Sequence, residues 1–91
     1  MDAELTIQIE PPIESAGGKY DELRLREPLI GQWAKAETHR GATAQFIALI
    51  SAVSGWPAPA VHLLPVSKFN EAVDYLAGFL GSGRATGETS A

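Results

Sequence analysis

Residues 5–28 read LTIQIEPPIESAGGKYDELRLREP, and this stretch decides the fold. Leu5, Ile7 and Ile9 alternate with Thr6, Gln8 and Glu10, the period of two that puts one face of a strand on a core and the other in water. Pro11 and Pro12 lack amide donors and are expected to end that strand, while Gly17-Gly18 gives the backbone freedom to turn back. A second strand is expected from Tyr20 to Arg26, with Leu23 and Leu25 on the apolar face and Glu22, Arg24 and Arg26 on the wet face. A hairpin alone is marginal in water, so its leucine and isoleucine face must pack on something. The remainder is helical in character, which makes the expected fold α+β: an N-terminal two-stranded β-hairpin packed on a small bundle of three to four short α-helices.

Outward from the hairpin, Glu27-Pro28 closes the second strand, and a first helix is expected from about Pro28 or Gly31 through Glu37, with Ile30, Trp33 and Ala34 on one side. Thr38 to Gly41 is a polar connector. Phe46, Ile47, Leu49, Ile50 and Val53 then mark a second helix, apolar around much of its circumference and expected to be central, which Gly55-Trp56-Pro57 stops. After Pro57-Ala58-Pro59-Ala60, one or two turns carry Val61, Leu63 and Leu64. The last helix has Ser67 as its expected N-cap, Phe69, Val73, Leu76 and Leu80 at near-helical spacing, with Phe79 widening the stripe, and Gly81 as its stop. The expected organisation is one domain over residues 1–80 and a disordered polar tail over 81–91.

Composition narrows the function. The chain has 91 residues, and Leu, Ile, Val and Phe make up about a quarter of it, enough to bury a core. So short a domain has little room for a deep catalytic cavity as well. Seven basic residues, scattered from Lys19 to Arg84, against 11 acidic ones give a net charge of −4, which disfavours nucleic-acid binding. There is no cysteine to form a disulfide, a thiolate nucleophile or a cysteine zinc site. Met1-Asp2-Ala3-Glu4 lacks the basic and apolar regions of a signal peptide, and the apolar run Phe46 to Val53 is far below the roughly 20 residues of a membrane span. The expectation is a cytoplasmic protein without a membrane span.

No constellation points to catalysis. His39 and His62 are far apart in sequence, and neither has a His or carboxylate at i+3 or i+4 as a helical metal site needs; they read as a loop histidine and an incidental one beside core leucines. No serine sits in a G-x-S-x-G elbow, and Ser54-Gly55 more simply ends a helix. Gly78, Gly81 and Gly83 follow a helix, whereas a phosphate cradle precedes one. Glu71 and Asp74 read as a solvated face. No cofactor and no metal is expected, and no enzyme activity. Trp33, Trp56, Phe69 and Phe79 are core or interface anchors, because so small an interior leaves some apolar surface exposed.

Taken in order, Tyr20-Asp21-Glu22-Leu23-Arg24-Leu25-Arg26-Glu27-Pro28, the Ile/Leu-rich run Gln45 to Gly55, Leu63-Leu64-Pro65, and Phe69 through Leu80 with the ending Asp74-Tyr75-Leu76-Ala77-Gly78-Phe79-Leu80 resemble the Mu-like family of phage tail assembly chaperones. The resemblance covers about Leu5 to Leu80. Leu29 stands where members commonly have a small hydroxyl residue, so the first helix must be capped by backbone or at Gly31. Lys68 stands where an acidic residue is common.

The resemblance implies a non-enzymatic chaperone in the cytoplasm of the bacterial host, which binds the long, largely helical tape measure protein and keeps it soluble until tail-tube subunits polymerise around it. The implied partners are the tape measure protein, the tail-tube protein, a frameshift-extended form of the chain itself and, as a homo-oligomer, further copies. The candidate partner-binding residues are Trp56, Phe69, Leu76, Phe79 and Leu80, on or beside the last two helices. The alternative reading is a small homodimerising interaction or regulatory domain of antitoxin-like kind.

Overall fold

The computed structural model describes residues 4–15 and 17–81. Strands β1 (Leu5–Ser15) and β2 (Gly18–Leu25) form an antiparallel hairpin, followed by α1 (Ile30–Ala36), α2 (Ala42–Ser54), the single turn α3 (Ala58–Val61) and α4 (Val66–Gly81). This is the expected α+β arrangement. Of the expected tail over 81–91, Gly81 is the last residue of α4 and 82–91 lie outside the described residues.

The hairpin corrects one expectation. Pro11 and Pro12 do not end β1. The ladder runs from Leu5↔Leu25 to Gln8↔Glu22 and resumes at Ile13↔Tyr20, so Ile9 to Pro12 stand opposite Asp21 alone. The prolines withhold their donors, a bulge absorbs the gap, and Ile9 and Ile13 hold the strand to the core on either side of it. The Glu10-Pro11 bond is cis. On the wet face Gln8 Nε2 donates to Glu22 Oε2 at 3.2 Å across the strands.

Behind the hairpin, Ile7, Ile9, Leu23 and Leu25 meet Leu49, Ile50 and Val53 of α2, Ala60 and Val61 of α3, and Ala72 and Leu76 of α4 in one core. Among the described residues no polar or charged side chain is buried with them. α2 is the central helix, as its sequence indicates. Gly55 ends it in the left-handed region at φ 83°, and its N–H donates to Ser51 O at 2.9 Å.

Three helix details depart from expectation. α1 turns Ala36 and part of Trp33 inward, whereas Ile30 and Ala34 are exposed. Its start is held from within the helix, where Gln32 Oε1 accepts from the Leu29 N–H at 2.8 Å while Gln32 Nε2 donates to Ala52 O of α2 at 3.3 Å. Gly31 has no capping part. α4 begins at Val66, with Phe69 N–H donating to Pro65 O at 2.9 Å, so Ser67 lies in the first turn and is not the N-cap. Its deepest residues are Ala72 and Leu76, with Val73 only half-buried, and the helix includes Gly81. No helix among the described residues is long and apolar enough to cross a membrane.

Candidate partner-binding surface

The two tryptophans occupy opposite situations. Trp56 is locked in by every polar group it has: its N–H donates to Ser54 Oγ at 3.1 Å, its carbonyl accepts from Ser51 Oγ at 2.6 Å, and its Nε1 donates to Glu22 O of β2 at 3.1 Å. The Tyr20 ring lies 5.1 Å from it, and only 6% of Trp56 is exposed. It therefore closes the hairpin over the end of α2. Trp33 packs against Phe46 with ring centroids 5.9 Å apart, but its Nε1 is buried with no hydrogen-bond partner among the described residues.

Trp33 lines an open groove of about 260 Å³ between the start of α1 and the end of α4, together with Glu27, Pro28, Leu29, Ile30, Phe79 and Leu80. Leu29 is 67% exposed and Ile30 82%, an unusual cost in water for adjacent branched side chains. Phe79 meets Tyr75 edge-on at 5.3 Å. The Tyr75 hydroxyl is buried and also unpartnered among the described residues; its pKa is raised, first by burial and then by the Glu4 and Glu27 carboxylates.

A second depression runs along the outer face of α2. About 380 Å³ of it is lined by His39, Ala44, Ile47, Ala48, Ser51, Ala52, Ala58 and His62. A neighbouring hollow of about 160 Å³ shares Ile47 and His62 and reaches Thr43, Val61, Leu64, Val66 and Phe69. The two histidines, far apart in sequence, thus border one surface. No group of three or more His, Cys, Asp or Glu is placed to hold a metal ion among the described residues.

Of the five partner-binding candidates, the structure brings Phe79 and Leu80 together at the first groove and puts Phe69 at the second, near the opposite end of α4. Trp56 and Leu76 are a correction. Leu76 is fully buried and Trp56 nearly so, because both fill the space between the hairpin and the helices, so neither presents a surface. Leu29 and Ile30, absent from the candidates, are the most prominent apolar side chains at the first groove.

The family model described as phage tail assembly chaperone proteins, E, or 41 or 14, matches residues 6–81. The chain belongs to that family. No curated protein and no solved structure matches it. In this tail assembly chaperone the matched span reaches from β1 to the last residue of α4, so both grooves lie within it. Leu29 is the N-cap residue of α1 without a side-chain cap bond, its own N–H is taken by Gln32 Oε1, and its side chain is exposed apolar surface. Lys68 faces Glu71 one turn on, at 3.7 Å, an exposed pair of little energetic weight.

Proposed function

We propose that this chaperone binds the tape measure protein and keeps it soluble during tail assembly in the host cytoplasm, without enzymatic chemistry, and that it does so at the groove between α1 and α4. The observation that carries this reading is the exposed pair Leu29 and Ile30 beside Trp33, Phe79 and Leu80. A chain with a complete core has no folding reason to leave such a surface in water. The apolar stripe of a long helix fits it. Many copies, each bound weakly, would coat a long helical chain and still yield to tail-tube subunits as they polymerise.

The test is co-expression with the tape measure protein of the same phage. A soluble complex that co-purifies with the native chain, and is lost with Leu29→Ser plus Ile30→Ser, is the expected result. An insoluble partner with the chaperone in excess would overturn the reading and favour a homodimerising interaction domain.

A further inference from the structure

We propose that the helix seated between α1 and α4 is one whose apolar stripe is bordered by Lys or Arg, an inference that rests on the reading of that groove as the tape measure seat. The apolar part of the groove is the exposed pair Leu29 and Ile30 with Trp33, Phe79 and Leu80, and its one charged lining residue is Glu27. Glu37 extends the acidic rim. Its N–H donates to Trp33 O at 2.9 Å, so it continues the winding of α1. It follows Ile30 by close to two turns, which puts it on the same side about 10 Å further along. Lys35, the basic residue in the last turn of α1, is about 140° round the helix from Ile30 and does not line the groove.

The charge of the rim selects the occupant. Among the described residues the ion pairs are Arg24 with Glu22 on the hairpin and Lys68 with Glu71 at the start of α4, so neither Glu27 nor Glu37 is paired there. Arg26, next to Glu27, continues the wet-face alternation of Glu22 and Arg24 and does not line the groove. Glu4 adds to the same field, because it acts with Glu27 on the Tyr75 hydroxyl, whose ring meets Phe79 at 5.3 Å. At this end α4 finishes with no basic residue in its last turn, and its final carbonyls form the negative end of the helix dipole. The whole chain carries −4, so local and overall potentials agree in sign. Lys and Arg suit the site twice over: their apolar stems lie along Leu29 and Ile30 while their charged heads reach the carboxylates at the rim. A border of Asp or Glu would meet like charge. A second copy would do the same, because a two-fold pairing of this face sets Glu27 and Glu37 against their own counterparts.

The test uses the full chain and two synthetic helical peptides of about 16 residues with the same Leu/Ala stripe, one bordered by Lys and the other by Glu. Calorimetry gives the affinities and backbone amide shifts give the site. The Lys peptide should bind at least about threefold tighter at low salt, with shifts centred on Leu29 to Trp33 and Leu80, and the preference should fade as salt rises to about 0.5 M. Glu27→Gln with Glu37→Gln should abolish the preference, and Glu27→Lys with Glu37→Lys should reverse it; both positions are exposed, so the fold is kept. Equal affinity for the two peptides at this groove, or a preference that survives both pairs of substitutions, overturns the charge assignment and leaves the groove as the seat. Binding of neither peptide, or shifts centred on α2, overturns the assignment together with the groove. Co-purification of the tape measure protein with the native chain, and its loss with Leu29→Ser plus Ile30→Ser, is a separate readout, so the two readings fail separately.

Discussion

Trp56 and Trp33 are the same residue type set to different tasks within one small fold. Trp56 has all its polar groups paired and joins β2 to the end of α2. Trp33 is half-buried, leans on Phe46 and leaves its indole N–H without a partner among the described residues. A buried donor without an acceptor costs about 1–3 kcal/mol. The first corner has its polar groups paired, and the second leaves a buried donor unpaired among the described residues.

The largest test of that contrast is truncation. Trp56→Ala should lower unfolding stability by about 3–5 kcal/mol and Leu76→Ala by about 2–5 kcal/mol, a large part of the roughly 5–15 kcal/mol available to a domain. Both are read by thermal or urea denaturation. A small loss at Trp56 would break the claim that it closes the hairpin. Next in size, Leu29→Ser with Ile30→Ser should weaken tape measure binding at least about tenfold while changing stability by no more than about 0.5 kcal/mol. Phe79→Ser with Leu80→Ser is the less clean variant, since both side chains are half-buried and Leu80 packs against the core, so part of its effect would be on the fold.

A finer comparison replaces each indole by phenylalanine. Trp56→Phe strands the Glu22 carbonyl and should cost about 1–2 kcal/mol beyond the packing change. Trp33→Phe removes a donor that has no acceptor among the described residues and should be close to neutral for folding. Equal stability losses in the two variants would erase the distinction between the corners. The smallest effect is a pH dependence. Because the folded chain holds the Tyr75 pKa above its ordinary value through burial and the Glu4 and Glu27 carboxylates, the unfolded chain loses that proton first. Stability should be full below about pH 10 and decline as pH rises through the raised folded value. In Tyr75→Phe this part of the alkaline decline should disappear from pH-dependent melting curves.

Much of the architecture is legible in the sequence. The alternation of Leu5, Ile7 and Ile9 and of Leu23 and Leu25 announced a hairpin, and Ser54-Gly55 announced the end of α2. Local chemistry misled where a neighbour could compensate. Pro11-Pro12 signal the end of a strand, but a bulge carries β1 past them to Ser15. Ser67 has the side chain of an N-cap, but Pro65 O accepts the first helical bond. The Gln32 cap had a signal in its place three residues after Leu29, hidden by the absence of a hydroxyl partner.

By itself the sequence determined what lies within the reach of a few residues: two strands, the helices, their breaks and the order of segments that marks the family. These follow from side-chain periodicity and from missing or permissive backbone groups, which act locally. The tertiary structure alone decided which apolar residues became core and which became surface. Trp56 and Leu76 were drawn inward because the hairpin and helices meet over them, and Leu29 and Ile30 were left outside because α1 turns Ala36 to the core instead. The meeting of His39 with His62 across the α2 groove is of the same kind. It depends on how helices pack at a distance in sequence, and periodicity along one segment carries no information about its neighbour.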